Sequence, residues 1–418
     1  MTAEERQTIN FVVPWYGPDV VGGAERACRQ LASRLASRGA NVRVLTTCAR
    51  DLFDWSNHHP PGVTRDEGVP VHRFTVDPRD QAAFDEVNII LQNGQPTSFQ
   101  QHRLFVEQII RSTPMCHFIT RRRRKDLFLF TPYMFGTTYW GCRIAPDRSY
   151  LMPCLHDEPY LWIEPYRGMF RSVAGFLFFS KWEARLLQQV VGTGSPGQRS
   201  IVLGLGVASP PDADPNRFRH RYHVHGPFAL AVMRRVPGKN ISLLLDYFAR
   251  YVERTDGLAA AAGGCPQAEL KLVLLGSGAV SIPEAARHRI LDVGYVSEQD
   301  KADAYAAALY TCQPSVNESF SYTIMESWLA NRPVLVHRDC PVTRGFVEDS
   351  GGGLWFRSFD EYAACTDRLL GDQALAGSMG NAGYRYVRRR FVWDRILDRL
   401  LDFVGAAEGD SGCTLALP

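Results

Sequence analysis

The chain has 418 residues, with 47 lysines and arginines against 44 aspartates and glutamates. A formal charge of +3 is too small to argue for a nucleic-acid binder, and 45% hydrophobic with 22% charged residues is the composition of an ordinary globular protein. The length suffices for two core-bearing domains. No apolar run approaches the ~20 residues of a membrane helix, and the polar opening MTAEERQT does not read as a signal peptide. Ten cysteines, at 28, 48, 116, 142, 154, 265, 312, 340, 365 and 413, show no C-x-x-C pair. Several sit in apolar runs, which predicts free buried thiols in a reducing cytoplasm.

In chain order, residues 8–13 (TINFVV) read as a strand, followed by the turn-rich PWYGPDVVGG. From Ala24 a helix sets Ala27, Leu31 and Leu35 on one face and stops at Gly39. Further strands are expected at 41–46, 126–130, 149–154, 175–179 and 200–203, with the helix-like KWEARLLQQV after Ser180. Residues 80–148 otherwise resist assignment. A stretch rich in Pro, Gly and polar residues, 206–226, reads as a linker.

A second alternating series follows, with strands expected at 228–232, 269–275, 291–293, 310–313 and 333–336. Helices are expected at 239–254 and 301–309, and from near Ser321 to the stop at Asn331-Arg332-Pro333. WDRILDRLLDFV (393–404) repeats apolar residues at helical spacing. Continuous apolar strands alternating with helices imply parallel sheets covered on both faces. Two Rossmann-like domains with a cleft between them fit the pattern: 1–205, then 227–390 after the linker, with 391–418 a C-terminal helix and tail. In such sheets ligands bind beyond the carboxyl ends of the strands.

Three loops at those ends carry glycine, charge or both. Gly22 and Gly23 precede a helix, where a backbone can approach an anion closely, or where a flexible entry is all that is needed. Arg234 and Lys239 follow the strand at 228–232 and suit a diphosphate, the alternative being a solvated basic loop. The stretch NESFSYTIMES (317–327) follows the strand at 310–313. Here Ser321 is expected to cap a helix whose buried stripe is Ile324, Met325, Trp328 and Leu329, with Glu326 on another face. The N–H groups of Phe320, Ser321 and Tyr322 would hold phosphate. Glu318 in the loop would take sugar hydroxyls and Glu326 a ribose diol.

Glu318…Glu326 resembles the E-x7-E motif of retaining GT-B glycosyltransferases of the family 4 type, as do the flanking PSVNES and MESWLANRPVLV. Arg234 and Lys239 resemble that family's Arg…Lys pair, and GGAE its first glycine loop. His156, in HDEP after LMPCL, sits where the family has its active-site histidine, and Ser180 with Glu183 resembles its Ser-x-x-Glu. Met233 stands where the family usually has glycine, as do Ser319 and Ser321.

The resemblance implies an α/β GT-B fold, two Rossmann-like domains facing each other across a cleft. It implies a cytoplasmic enzyme that transfers a sugar from a nucleotide diphosphate sugar with retention, without metal or cofactor. The N-terminal domain would take the acceptor and the C-terminal domain the donor. Arg234 and Lys239 would stabilise the leaving diphosphate, Glu318 position the sugar, His156 bind a sugar hydroxyl and Glu326 the ribose. Gly294, Tyr295 and Val296 would meet the base, with UDP, GDP and TDP all open. The acceptor is open among small molecules, glycolipids and glycans, and the oligomeric state is not indicated. A nucleotide-sugar epimerase and a non-catalytic sugar-binding protein are the alternatives; a pyridoxal-phosphate phosphorylase would need a cofactor lysine motif that is not found.

Other features have plainer readings. Asp212-Ala213-Asp214 spells D-x-D but lies in the expected linker, and His58-His59 reads as a loop pair. Trp15, Tyr16, Tyr133 and Tyr139 follow strands, where they would stack on an acceptor. Arg121, Arg122, Arg123, Arg124 and Lys125 form one strong run, either a solvated helix end or, beside the cleft, a surface for an anionic acceptor or membrane.

Overall fold

Short apolar strands alternate with amphipathic helices through most of the chain, and the computed structural model resolves this alternation into two α/β units. It describes residues 7–20, 22–192, 194–195, 197–261 and 269–409. The opening residues 1–6, Cys265 and Cys413 lie outside them. Contacts divide the chain into one unit running through Leu205 and resuming at Leu397, and a second spanning Gly206–Ile396.

The first unit holds β1 (Ile9–Val12), α1 (Gly23–Ser37), β2 (Val42–Thr47), β3 (Gly62–Asp66) and β4 (Val69–Phe74). Next come α2 (Gln81–Gln92), α3 (Phe99–Gln108), α4 (Thr113–Arg122), β5 (Leu127–Phe130) and α5 (Gly136–Cys142). The unit continues with β6 (Ser149–Leu151), α6 (Glu164–Ser172), β7 (Gly175–Phe178), α7 (Lys181–Val191) and β8 (Arg199–Val202). The strand order is β3-β4-β2-β1-β5-β6-β7-β8. All pairs are parallel except β3 with β4. Every residue of β1, β5 and β7 is buried, as expected for strands covered on both faces. The α1 face expected from spacing, Ala27, Leu31 and Leu35, is 1% exposed or less.

The β3–β4 hairpin was not expected from the sequence. Its turn is Glu67-Gly68, both at positive φ (47° and 82°), the conformation a two-residue hairpin requires. Arg29 of α1 pins it through a two-nitrogen contact with Asp66 at 2.6 and 2.9 Å. Helices α2, α3 and α4 occupy the segment left unassigned and bury Phe84, Val87, Leu91, Phe105, Val106, Met115 and Ile119 in the unit's core.

The second unit begins with α8 (Pro215–Tyr222), β9 (Phe228–Val232), α9 (Ile241–Ala261), β10 (Lys271–Leu275), β11 (Ile290–Gly294), α10 (Glu298–Ala307) and β12 (Tyr310–Gln313). It continues with α11 (Tyr322–Leu329), β13 (Val334–His337), α12 (Pro341–Ser350), β14 (Gly353–Phe356), α13 (Phe359–Gly371) and α14 (Gln373–Arg390). Its order, β11-β10-β9-β12-β13-β14, is wholly parallel and turns between β9 and β12. Such a reversal leaves a crevice beyond the carboxyl ends of two neighbouring strands. The last helix, α15 (Trp393–Gly409), contains the division between units. Beyond it, the Phe403 ring meets Tyr150 at 5.2 Å, and Arg399 donates to the Leu203 carbonyl at 3.0 Å.

The stretch read as a linker holds α8. Asp214 caps it by accepting from the Asn216 N–H at 2.8 Å, and Pro215 opens it. Phe218 is fully buried. Arg217 closes on the buried Asp303 of α10, Arg221 reaches Asp300 at 2.9 Å, and Arg219 reaches the Ala307 carbonyl at 2.9 Å. The D-x-D stretch is therefore part of a helix start. Asp303 also accepts from the Asp214 N–H at 2.8 Å and from Gln299 at 3.1 Å. Asp303→Ala leaves these donors and the Arg217 guanidinium without their acceptor. Thermal melting should fall by roughly 5 °C for the second unit; an unchanged melt would show that α8 is not held by this contact.

Candidate functional site

In the second unit the expected site residues gather at the carboxyl ends of β9, β11 and β12. The loop after β9 divides its two arginines. Arg235 is committed to structure: its guanidinium takes both oxygens of Asp292 on β11 and donates to the Gly278 carbonyl at 2.8 Å. The backbone is stitched at the same level, Arg235 N–H to Ser277 at 2.9 Å and Gly276 N–H to Gly294 at 2.8 Å. Gly276 is required there, since a Cβ would lie 2.0 Å from the Met233 carbonyl oxygen. Arg234 is half-buried in this loop.

Lys239 lies at the end of the same loop, and its ammonium is 2.6 Å from Glu318 Oε1. The structure thus brings the expected diphosphate lysine and the expected sugar carboxylate into direct contact. Gln313, the last residue of β12 and only 2% exposed, donates from Nε2 to the same Glu318 oxygen at 3.0 Å. Its own Oε1 is buried without a partner. Asn240 donates to the Pro314 carbonyl at 3.1 Å, Ser315 to the Gly238 carbonyl at 3.3 Å, and Thr323 to the Val232 carbonyl at 3.1 Å. The two loops at the reversal therefore form one assembly. Sequence reasoning missed Gln313; its signal was a lone amide at the end of the strand Tyr310–Gln313.

Ser321 does not cap α11 with its side chain. The helix starts at Tyr322, and Ser321 sits at φ 87°, a left-handed value that disfavours a residue with a Cβ. Its hydroxyl instead accepts from Gln313 Nε2 at 3.4 Å. Phe320 is 3% exposed and packs edge-on against Tyr322, Phe346 and Phe391, fixing the entry to the helix. Ile324, Met325 and Trp328 are fully buried as expected, but Ser327 takes the place expected for Leu329. Glu326 faces α10, 3.3 Å from Lys301 and accepting from the Tyr305 hydroxyl at 3.2 Å. Lys301 and Tyr305 are four residues apart on one helix face, a spacing legible in the sequence. Gly294 has its N–H on Asp292 at 3.1 Å, Tyr295 is 80% exposed, and Val296 is half-buried.

The first unit has its own cluster. His156 follows β6, its Nδ1 3.9 Å from Glu158, which accepts from the buried Tyr133 hydroxyl at 3.0 Å. Burial pushes the Glu158 carboxyl up, while His156 and Tyr133 pull it down. Glu183 is the clamp beneath. It accepts from the Leu155 N–H at 2.8 Å and from the Phe179 N–H at 2.6 Å, while Ser180 caps α7. The Ser-x-x-Glu pattern therefore joins the ends of β6 and β7 and sets the backbone that carries His156.

Three expectations change. Gly22 and Gly23 do open α1, but the Glu25 carboxylate folds back so closely that a Cβ on Gly22 would lie 1.9 Å from it; only Gly23 has open space. Trp15, Tyr16, Tyr133 and Tyr139 are all 6% exposed or less, so none presents a free ring face. Phe53, 86% exposed after β2, and Trp162, 40% exposed after β6, are exposed rings at that edge. The basic run lies just before β5, at the amino edge of the sheet and not beside His156.

Burial pushes the Glu183 carboxyl up to about 8 against the backbone N–H groups that lower it. With the folded value above the unfolded one, the stability it contributes is complete in acid and erodes as pH rises from 4.5 toward 8. The first unit should therefore melt lower at pH 8 than at pH 5. Glu183→Gln should flatten that slope and lower the melt at pH 5; an unaltered slope would refute the assignment.

A family model described as glycosyl transferases group 1 matches residues 212–386. The chain is 28% identical over 189 residues to a trehalose synthase of Rubrobacter xylanophilus, covering 42% of each chain, so the match spans less than half of that relative. It is 26% identical over 423 residues to a D-inositol 3-phosphate glycosyltransferase of Acidothermus cellulolyticus, covering 91% of this chain and 84% of that one. Among solved structures, Anabaena Alr3699/HepE in complex with UDP-glucose superposes with a TM-score of 0.66 at 17% identity, covering 96% of this chain and all of that one.

Proposed function

We propose, from the glycosyl transferases group 1 match over residues 212–386 and the fold shared with Anabaena Alr3699/HepE, that this chain is a retaining, metal-independent glycosyltransferase of GT-B fold using a nucleotide diphosphate sugar. The observation that carries this reading is the Lys239–Glu318 contact at the strand reversal, held by Gln313. A cation meant for a leaving diphosphate and a carboxylate meant for a sugar belong within one bond of each other. At an effective dielectric of about 20, unit charges ~4 Å apart interact by about 4 kcal/mol. Lys239 is thus drawn from Glu318 only by a ligand that brings comparable negative charge, which a diphosphate does.

Arg234 and Lys239 stabilise the charge that develops as the bond between the anomeric carbon and the diphosphate oxygen breaks. The first-turn amides at Phe320, Ser321 and Tyr322 add a helix start. Glu318 takes sugar hydroxyls, and Glu326, oriented by Lys301 and Tyr305, takes the ribose. Gly294 and Val296 meet the base through the backbone, and the exposed Tyr295 ring offers it a face. His156 binds a sugar hydroxyl. The acceptor oxygen attacks on the face the diphosphate leaves, and its proton passes to the departing phosphate oxygen, so configuration is retained and no enzyme nucleophile is needed. The UDP-glucose complex of the Anabaena protein supports a nucleotide-sugar donor.

Glu318→Gln and Arg234→Ala should each lower transfer at least ~100-fold while the protein still folds cooperatively. Thermal shift against UDP, GDP, TDP and their sugars identifies the donor. Stabilisation by none of them, or a product of inverted anomeric configuration, would overturn the reading. Gln313→Leu should lower kcat roughly 10-fold with the donor KM little changed, since it loosens Glu318 without removing a phosphate ligand; a pure KM effect would assign Gln313 to binding instead.

A further inference from the structure

The amino edge of the first sheet carries a second feature unrelated to the donor site. Helix α4 ends at Arg122, and Arg121, Arg122, Arg123, Arg124 and Lys125 are all exposed just before β5. Arg123 and Arg124 line a cavity of about 390 Å³ together with Arg148 and Asp147, which immediately precede β6. β5 and β6 are adjacent and parallel, so three guanidiniums converge at their amino ends against one carboxylate. His156 follows the opposite end of β6, so this cavity lies across the sheet from it.

A helix C-terminus favours cations, but only within its last turn; five in succession exceed that need. Two other cations at this edge have carboxylate partners, Arg43 with Asp126 at 3.3 Å and Arg38 with Asp398. Among the described residues, none of the five in the run makes an ion pair. None of the unit's exposed large apolar side chains falls between residues 113 and 150. The edge therefore offers neither rings for stacking bases nor a wedge for entering hydrocarbon. Its chemistry is that of a cationic surface with one open recess, lined by three guanidiniums and roomy enough for a phosphate-bearing headgroup.

We propose that this edge docks on an anionic bilayer, with the recess between Arg123, Arg124 and Arg148 taking a lipid phosphate headgroup. Among the described residues no helix is long and apolar enough to cross a membrane, and the contact is electrostatic and reversible. Docked this way, the protein turns the carboxyl edge of its first sheet, with His156, away from the lipid.

The test is co-sedimentation of the full chain with vesicles of phosphatidylcholine alone and of equimolar phosphatidylcholine and phosphatidylglycerol, across a salt series. Binding should require the anionic lipid and weaken with salt. Arg123→Gln/Arg124→Gln should bind roughly 30-fold more weakly, about tenfold or less per charge near the surface, with thermal melting intact. Arg250→Gln, exposed on α9, should bind as the parent does. Equal binding to both vesicle types, or full binding by the double variant, overturns the proposal. So does stabilisation of the parent but not the double variant by inorganic phosphate without vesicle binding, which would assign the recess to a soluble phosphate. A second pair, Arg121→Gln/Lys125→Gln, should also weaken vesicle binding and keeps the proposal testable if the first pair fails to fold.

Discussion

The Lys239–Glu318 contact joins the loops leaving β9 and β12, the two strands between which the order of the second sheet reverses. Parallel strands present all their carboxyl ends on one edge, and a reversal leaves two neighbouring loops without a helix crossing between them. Charged side chains placed on those two loops must meet or be separated by solvent. Here they meet, over a buried amide at 3.0 Å that fixes which oxygen of Glu318 is engaged. Arg234, the start of α11 and Glu326 take their positions from strands and helices packed around that junction.

Both units secure their loops with a carboxylate that receives several donors. Glu183 gathers the Leu155 and Phe179 amides in the first unit. Asp292 gathers Arg235 and the Gly294 amide, and Asp303 gathers Arg217, Gln299 and the Asp214 amide, in the second. One acid with several donors costs less than several unpaired amides, because each polar group left without a partner carries its own desolvation penalty. Loops that must stay open to a ligand cannot be held by apolar packing from above, so they are held by such acids from below.

Ser321 shows how a local rule yields to this assembly. A serine before a helix ordinarily caps it, yet here the backbone turns to φ 87° and the hydroxyl faces Gln313. A residue with a Cβ in this geometry costs of order 1 kcal/mol or more, which the packing of Phe320 against three aromatic rings offsets.

By itself the sequence determined the alternation of strands and helices, the order in which charged loops follow strands, and the resemblance that tied Glu318, Glu326, Arg234 and Lys239 together. These are properties of neighbours along the chain: apolar period, helix stops and motif spacing. It did not reveal the β3–β4 hairpin, whose strands are half exposed and whose turn is an unremarked Glu-Gly. It did not show α8 within the stretch 206–226, because proline and aspartate open a helix as readily as they fill a loop. Which of two adjacent arginines is structural, and that Glu25 lies over Gly22, were decided by tertiary structure alone. Each depends on which groups, distant in sequence, arrive within a few ångströms of one another, and a linear pattern carries no record of that.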